Sequence, residues 1–500
     1  MATNSLALGD LNPSIISLFL LLPILWIILK QYNSRNKSLP PGPKAWPVIG
    51  NLAELGSNVH RDLAQLAQVY GPLMSLRLGN QLMVVGSTPE AAIEILKTHD
   101  RLLSGRYVAD VSYAKGPQKN HLSLAFTTEC TQQWRFLRTL CRSEIFSNKM
   151  IENQSYIREK KMNELLEFLA SKEGEKIKIE NFVFLSIINV LGNIFCSNDL
   201  VSFEEIGGLN KAMREIVVLF ASPNISDFYP SLSGLDIQGL RKKTSECVKI
   251  IHSAWEGIIR DRKAQKLFQD SSRHKDIVDV LLHKDFSEDQ ISCLFLELFI
   301  AGTDTSSSTI EWAMTELIKQ PKYLEKIRHE LEREISGNVI NESNLSQLSY
   351  LQACVKETLR LHPPVPLLLP RHANETRQVM NYTIPEGTQI VVNVWAVARD
   401  PNNWEDPLTF NPDRFLHSEL DFKGNDFEFL PFGSGRRICP GMNMGLAQVH
   451  LFLASLIYHF NWSLPDDMLP QQLDMNEKFG VTLHREKPLE IMLKQRSLRK

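Results

Sequence analysis

A glycine-rich segment near the C-terminus, Phe432-Gly-Ser-Gly-Arg-Arg-Ile-Cys-Pro-Gly441, constrains this chain more than any other feature. Its single cysteine, Cys439, is framed by glycines that let the backbone approach the sulfur closely. A thiolate that ligates iron needs such nearby backbone N–H groups, because they tune its basicity. The alternative interpretation is a small buried cysteine in a Gly-rich turn. Features elsewhere in the chain decide between the two.

The fixed positions of this segment point to a family. Phe432, Gly435, Arg437, Cys439 and Gly441 fill the pattern Phe-x-x-Gly-x-Arg-x-Cys-x-Gly, the haem-thiolate loop of the cytochrome P-450 family, which the chain therefore resembles. The resemblance implies that Cys439 is the axial ligand of the iron in haem b. It also implies that O2 is activated with NADPH-derived electrons from a reductase. Phe432 and Arg437 would contact the haem, the arginine through a forked hydrogen bond to a carboxylate.

Composition is that of a large globular protein. The 500 residues exceed the size at which single cores usually divide. No internal linker is evident, however, so one catalytic domain is predicted over residues 52–500. The net charge of −2 argues against a nucleic-acid partner. The seven cysteines include no Cys-x-x-Cys pair, so neither a disulfide framework nor a zinc site is indicated.

An apolar run near the N-terminus, Ile15–Leu29, predicts a membrane anchor over residues 1–30. With Leu11 it reaches about 19 residues, close to the ~20 that span a bilayer. A cleaved signal peptide is the alternative, but no basic residue precedes the run and several follow it. These charges predict a single-pass helix with a cytosolic catalytic domain. A stiff Pro-rich connector is predicted over 31–51, and the resemblance places the enzyme in the endoplasmic reticulum membrane.

The remaining pattern predicts a mainly α-helical fold with small β-sheets. The segments 74–78 and 81–85 are predicted as strands of a hairpin around Gly79-Asn80. From Pro89 the pattern is helical for most of roughly the next 280 residues, with an irregular loop over 106–126. Two further strands are predicted, over 365–371 and 389–393. The cytochrome P-450 fold implied by the resemblance has a triangular helical body with a long central helix over the haem.

That central helix is predicted from Ser287 to Gln320. Ser287-Glu-Asp-Gln290 is a capping box and Pro321 is a stop signal, which leaves about 33 residues, or roughly 50 Å. In its middle, Ala301-Gly-Thr-Asp-Thr305 is a poor helix-forming set, and it predicts a local distortion that opens a groove. The alternative is a run of hydroxyl groups that face a polar neighbour.

The same stretch matches Ala/Gly-Gly-x-Asp/Glu-Thr, which members of the family carry at the oxygen-binding bend of this helix. By resemblance, Thr305 is expected to hydrogen-bond the bound oxygen. Asp304 is expected to relay protons through water.

Two donors on one helix face are candidates for haem binding. Trp134 and Arg138 lie at i and i+4, so an indole N–H and a guanidinium can reach one propionate. The alternative is an exposed arginine beside a core tryptophan. Arg371, at the end of a predicted strand, is expected to reach a propionate as well.

Three further charged residues are predicted to be structural. Glu357 and Arg360 lie at i and i+3 on a helix, and Arg414 lies in a Pro-bounded loop. As exposed pairs they would contribute about 0.2–1 kcal/mol each. The resemblance implies instead that the three form a buried network behind the cysteine loop, in which the loss of one member leaves a charge unpaired.

Glu297 lies one helical turn before Ala301 and two before Thr305, so the three share one face. A buried acid on that face is costly unless it is paired. It is predicted either to bind the ammonium group of a substrate, beside Ala301, or to accept hydrogen bonds from backbone N–H groups of the loop over 106–126. The sequence leaves both interpretations open.

Several stretches resemble one plant group within the family, the alkaloid-pathway enzymes that include N-methylcoclaurine hydroxylase, phenol-coupling enzymes and littorine mutase. These stretches are 95–101, 106–108, 149–154, 158–161, 310–317, 380–385 and 424–428. The resemblance implies a monomer that takes electrons from NADPH–cytochrome reductase and activates a C–H bond of an alkaloid, by hydroxylation or by rearrangement as in littorine mutase. Hydroxylation or phenol coupling of benzylisoquinolines, and terpenoid hydroxylation, remain alternatives. A haem-thiolate isomerase that needs no O2 would not need the Asp304-Thr305 pair. A haem electron carrier would not need long substrate-lining loops.

Overall fold

The computed structural model describes residues 38–115, 123–204, 207–266, 276–335, 337 and 339–497. The predicted anchor, 1–30, and the first part of the predicted connector lie outside these residues. The boundary predicted between connector and catalytic domain stays a prediction.

Helices make up most of the described chain. In order they are α1 (Val59–Tyr70), α2 (Pro89–Ile93), α3 (Asp100–Leu103), α4 (Gln132–Glu144), α5 (Asn148–Asn153), α6 (Ser155–Ala170), α7 (Ile179–Cys196), α8 (Leu209–Ala221), α9 (Ile225–Phe228), α10 (Leu240–Lys266), α11 (Ile277–His283), α12 (Glu288–Lys319), α13 (Pro321–Glu334), α14 (Ser349–Leu361), α15 (Val394–Val397) and α16 (Met442–His459). The mainly helical prediction is confirmed.

The strands are short. They are β1 (Leu73–Leu78), β2 (Gln81–Gly86), β3 (Gly105–Arg106), β4 (Ile177–Lys178), β5 (Arg371–His372), β6 (Arg377–Val379), β7 (Tyr382–Ile384), β8 (Gln389–Val392), β9 (Phe460–Ser463), β10 (Glu477–Lys478), β11 (His484–Arg485) and β12 (Glu490–Gln495). Four small sheets result, the largest in the order β1-β2-β8-β5-β3.

The largest sheet contains the predicted hairpin. β1 and β2 pair antiparallel, and β8 adds to β2 in parallel. The turn between β1 and β2 includes Gly79, with φ 58°. At the other edge β3 pairs with β5, so that Arg106 lies directly opposite Arg371. The sheet therefore brings two arginines together from distant parts of the chain.

The strand predicted over 365–371 is wrong for most of its length, since β5 begins only at Arg371. Pro364, Pro366 and Pro370 have no N–H to donate to a ladder. Leu368 has a φ of 52°, and its N–H donates to the carbonyl of Val365 at 3.0 Å. The segment is therefore a turn. The strand predicted over 389–393 is confirmed by β8, after which Asn393 caps α15.

The central helix, α12, runs over 32 residues, or about 48 Å. Its predicted capping box is present: the Gln290 N–H donates to the Ser287 hydroxyl at 3.2 Å, and the Ser287 N–H donates to Gln290 Oε1 at 2.8 Å. Apolar residues along almost its whole length are buried, and it packs against α7, α10, α14 and α16. It is the axis of the hydrophobic core.

The predicted distortion does not interrupt α12, which is α-helical through Ala301–Thr305. The Thr305 hydroxyl donates to the carbonyl of Ala301 at 2.7 Å, and the Thr309 hydroxyl to that of Thr305 at 2.8 Å. Hydroxyl groups that bond back to the preceding turn are compatible with a continuous helix, although they compete with its own hydrogen bonds.

Within the described residues, α7 is the one helix long and apolar enough to cross a membrane. In this structure 83% of its most apolar window is buried, and it packs against α6 and α12. We therefore assign it to the core.

Candidate active site

The loop that carries Cys439 ends where α16 begins, and a backbone hydrogen bond closes it. The Cys439 N–H donates to the carbonyl of Phe432 at 3.0 Å, which closes the loop around a short 3-10 turn over Gly435–Arg437. Gly435 has a φ of 72°, and a Cβ there would overlap the carbonyl oxygen of Leu96. Only glycine allows this close approach without strain.

The sulfur of Cys439 has the expected backbone contact. The Gly441 N–H is hydrogen-bonded to it. Burial raises the pKa of the Cys439 thiol, while the Gly441 N–H and the positive charge of Arg138 act in the opposite direction. These are the surroundings that tune a thiolate ligand once iron has displaced the proton.

Cys439 lines a cavity with about 830 Å³ of empty space, part of it open to solvent. The middle of α12 lines the same cavity through Ala301 and Thr305, and Phe432 lines it from the cysteine loop. Much of the remaining wall is apolar and comes from Phe146, Leu191, Phe195, Leu298, Val355 and Leu359. The predicted ligand and the predicted oxygen-site threonine therefore face one shared space.

A cluster of guanidinium groups lies beside the cysteine loop. Its members act electrostatically on one another, and they are Arg106, Arg138, Arg371 and Arg437. In the described part of the chain the one carboxylate that pairs with them is Asp100, whose Oδ1 lies 3.0 Å from Arg371 Nη1. Burial, followed by the positive charges of Arg371 and Arg437, lowers the pKa of Arg106. The cluster has a surplus of buried positive charge.

This surplus fits haem, which carries two carboxylates. Arg106 is buried, and its Nε has no hydrogen-bond partner among the described residues. An unmatched buried donor is costly unless a ligand accepts from it. The sequence analysis did not single out Arg106 as a haem contact. The signal that identifies it, its position opposite Arg371, exists only after the sheet has formed.

Trp134 and Arg138 share one face of α4, with the guanidinium 5.6 Å from the indole ring. The indole N–H of Trp134 donates to the carbonyl of Leu124 at 2.9 Å, and Arg138 donates to the carbonyl of Ile438 next to the cysteine. Arg437 donates to the carbonyls of Leu124 at 3.2 Å and Thr127 at 2.8 Å. The predicted propionate donors therefore converge on one region, where most of their acceptors are backbone carbonyls.

Glu297 is bound to the loop over 106–126. Its carboxylate accepts the N–H groups of Leu124 at 2.8 Å and Ala125 at 3.0 Å, together with the hydroxyl of Ser123. It does not belong to the described wall of the cavity. Of the two interpretations of Glu297, the contacts favour the one in which it holds the loop.

Asp304 points away from the cavity. Its Oδ2 lies 3.2 Å from Nε2 of His484 in β11, and Thr482 also hydrogen-bonds to it. Asp304 and Thr305 are adjacent in the chain but lie on different faces of α12, since Thr305 lines the cavity and Asp304 is absent from its described wall. His484 has no motif in the sequence that could have connected it to Asp304.

Glu357, Arg360 and Arg414 form one network of charged side chains. Arg360 makes two hydrogen bonds to Glu357, with Nε–Oε2 2.7 Å and Nη2–Oε1 2.8 Å, and both side chains are fully buried. Arg414 Nε lies 3.1 Å from Glu357 Oε1. Arg360 also donates to the carbonyls of Ala398 and Pro407. The predicted trio is brought together with its hydrogen-bonding groups satisfied.

Known proteins resemble this chain over almost its whole length. The family model described as cytochrome P-450 matches residues 40–492. The chain is 48% identical, over 97% of its length and 99% of the relative's, to probable (S)-N-methylcoclaurine 3'-hydroxylase isozyme 2 of Coptis japonica. It is 46% identical to corytuberine synthase of the same plant, over 94% of this chain and 96% of the relative. It is 38% identical to berbamunine synthase of Berberis stolonifera, over 95% and 98%.

Proposed function

The chain belongs to the cytochrome P-450 family, so it is a haem-thiolate monooxygenase that takes electrons from a redox partner, and on that premise we propose that its substrate is a plant alkaloid. The enzyme removes hydrogen from a C–H bond of that alkaloid. Hydroxylation or an oxidative rearrangement of the littorine-mutase type follows.

One observation carries the proposal: Cys439 and Thr305 line the same largely apolar cavity. An apolar wall with a few polar groups is typical of a small-molecule site. The printed names of the relatives describe 3'-hydroxylation of (S)-N-methylcoclaurine and the synthesis of corytuberine and berbamunine. These names support an alkaloid over a terpenoid, and they support benzylisoquinoline hydroxylation or phenol coupling as the second candidate function.

In this proposal Cys439 ligates the iron of haem b, and haem supplies the oxygen-activating chemistry. The haem carboxylates are held by donors around the loop, namely Arg106, Trp134, Arg138, Arg371 and Arg437. Phe432 is the first residue of the ligand loop, and its ring lies 5.8 Å from that of Phe422. Ala301 contacts the substrate from α12.

In this proposal two neighbouring residues of α12, Asp304 and Thr305, deliver protons. Thr305 lines the cavity, and its hydroxyl would position a proton donor there, where haem would supply the oxygen-activating chemistry. Asp304 supplies that proton from the interior. Glu357, Arg360 and Arg414 act structurally by holding the segment behind the ligand loop.

The enzyme acts as a monomer at the endoplasmic reticulum membrane, with NADPH as the electron source through a reductase. The apolar run Ile15–Leu29 supports a single anchor, and the basic residues after it support a cytosolic catalytic domain. Deletion of residues 1–30 is expected to reduce membrane association and to leave the haem spectrum unchanged. A truncated protein that fails to fold would contradict the assignment of these residues as an anchor alone.

The substrate class is tested with the full-length protein, a plant reductase and NADPH. The panel comprises (S)-N-methylcoclaurine, littorine and a set of terpenoid alcohols, with products identified by mass spectrometry. We expect NADPH-dependent conversion of at least one alkaloid. A product with one added oxygen indicates hydroxylation, a dimer indicates coupling, and a rearranged skeleton indicates the mutase-type reaction. Conversion of terpenoids alone would overturn the proposal.

A further inference from the structure

The side of α12 away from the cavity carries an ionic cluster, of which the reaction as described so far uses only Asp304. Asp304 pairs with His484, with Oδ2–Nε2 3.2 Å. About two turns further along the helix, the buried carboxylate of Glu311 accepts the N–H of Leu489 at 2.7 Å. Burial raises the pKa of Glu311 to about 7. Buried acids beside an imidazole, behind an oxygen site, are unusual in a structural core.

The segment that contains β10 and β11 is hydrogen-bonded to α12. The carbonyl of Leu483 accepts the Ser308 hydroxyl at 2.8 Å and the Trp312 indole N–H at 3.2 Å. These bonds hold the backbone immediately before His484 against α12, which places its side chain beside Asp304.

His484 is the more accessible partner of the pair. Its side chain is 26% exposed, whereas that of Asp304 is 5% exposed. Water can therefore reach the imidazole, while the carboxylate lies behind it. Thr305, the next residue in the chain, lines the cavity.

The charged groups around this pair favour a protonated His484 beside an ionised Asp304. His484 faces Asp304 and Glu311 of α12 and Glu180 of α7; on its own strand it is followed by Arg485. Although burial opposes it, these acids raise the pKa of His484. Arg214 of α8, bound to Glu180 at 2.9 Å, adds positive charge that acts on Asp304. Burial raises the pKa of Asp304, but His484 outweighs it and the pKa lies below its usual value.

We propose that His484 is a positioning residue for proton delivery, which takes protons from solvent and passes them to Asp304. The imidazolium gives the proton on Nε2 to the Asp304 carboxylate and becomes the neutral Nδ1–H tautomer. When the ring turns toward solvent, a hydronium ion returns a proton to Nε2 and leaves water, so His484 is unchanged after each transfer. Insertion of one oxygen atom from O2 with two electrons consumes two protons and releases water, so a renewable route from solvent is needed. This inference rests on the proposed role of Asp304.

Three variants of the full-length enzyme separate a proton route from a mechanical link. His484→Gln keeps an N–H donor for Asp304 but cannot titrate. Ser308→Ala removes a neighbouring hydrogen bond between α12 and Leu483 without touching a titratable group. Asp304→Asn tests the acid itself. Each is assayed with reductase and NADPH in the presence of (S)-N-methylcoclaurine, after the carbon monoxide spectrum has shown equal haem loading.

For His484→Gln we expect NADPH oxidation to slow about tenfold or more, since a positioned acid or base typically contributes 10²–10⁴-fold. The solvent isotope effect, measured as the rate in H2O over that in D2O, should increase. The wild-type rate should fall as the pH rises through the titration of His484, and the variant should lose this dependence. Ser308→Ala should match the wild type in all three measurements.

A second readout does not depend on turnover. Deuterium exchange at the imidazole carbon between the two nitrogens, followed by mass spectrometry of the peptide that contains His484, gives the titration of this residue. We expect it above the ordinary value of 6.5 and closer to that value in Asp304→Asn.

The outcomes distinguish this inference from the proposed function. If Asp304→Asn is slow and His484→Gln matches the wild type, the route through His484 is overturned and the role of Asp304 stands. If Asp304→Asn also matches the wild type, the proposed role of Asp304 fails with it. A titration of His484 that Asp304→Asn leaves unchanged would likewise overturn the coupling between the two residues.

Discussion

The carboxylate of Glu297 accepts the backbone N–H of Leu124 at 2.8 Å, and this one residue joins the central helix to the arginine cluster beside the cysteine loop. The carbonyl of the same Leu124 accepts from Trp134 and Arg437. The loop is thus held from both directions, with an acid on one side and two donors on the other. The sequence leaves two interpretations of Glu297 open, and the structure favours the one in which its carboxylate accepts backbone N–H groups of the loop.

The first prediction concerns the charge of Glu297. Glu297→Gln should weaken binding of a protonated alkaloid and of a neutral analogue by the same factor, because the side chain holds the loop and does not line the described cavity wall. Titration of the haem absorption with each ligand measures this. A loss confined to the charged ligand, of about 1–3 kcal/mol as for hydrogen bonds to charged groups, would show that Glu297 binds the ammonium group.

The second prediction concerns the buried network. Glu357→Ala should lower the free energy of unfolding by about 3–5 kcal/mol, because it leaves the guanidinium groups of Arg360 and Arg414 without their carboxylate. The yield of protein with a thiolate-type carbon monoxide spectrum and the denaturation midpoint both measure it. The matched control is Arg260→Ala, which removes an exposed pair with Glu256. That change should cost less than about 1 kcal/mol, and an equal effect of the two changes would refute the structural role of the network.

The third prediction concerns the cavity threonine. Thr305→Ala should leave haem incorporation intact and divert electrons from product to hydrogen peroxide, because proton delivery to bound oxygen becomes disordered. The measurement is product formed per NADPH oxidised. Thr315→Ala is the control, since Thr315 makes the same kind of hydrogen bond to the preceding turn but is buried outside the described cavity wall. Unchanged coupling in Thr305→Ala would place the proton route elsewhere.

The fourth prediction concerns pH and stability. The pKa of His484 is raised on folding, so its contribution to stability is complete below its ordinary value of 6.5 and is lost as the pH rises through the higher folded value. The pKa of Asp304 is lowered, so its contribution is present above 3.8 and is lost at more acidic pH. The difference in unfolding midpoint between wild type and His484→Gln should therefore be largest between pH 3.8 and pH 6.5. It should decline on the alkaline side, and a difference that grows with pH would contradict the ion pair.

Local patterns predicted what depends on neighbours in the chain. Ser287 and Gln290 form the capping box that their spacing indicates, and the glycines around Cys439 allow the loop that the motif requires. The segment before Arg371 was predicted as a strand because its apolar residues outweighed its prolines, whereas the missing N–H groups and the positive φ of Leu368 produce a turn.

Contacts between distant segments lay beyond local patterns. Asp304 and His484 are 180 positions apart, and nothing in either stretch encodes the other. Arg106 meets Arg371 only because β3 and β5 pair in one register. The continuity of α12 through Ala301–Thr305 has a similar origin, since packing on most sides outweighs the poor helix propensity of these residues.

The central claim is that the Cys439 thiolate is the axial ligand of haem iron, and the carbon monoxide spectrum of the reduced protein tests it most directly. Wild type and Cys130→Ser, which changes a partly exposed cysteine outside the ligand loop, should both show the red-shifted absorption of a thiolate complex. Cys439→His should lose it, because an imidazole does not donate electron density to the iron as a thiolate does. A red-shifted band that survives in Cys439→His would show that another group ligates the iron, and the assignment of this site would be wrong.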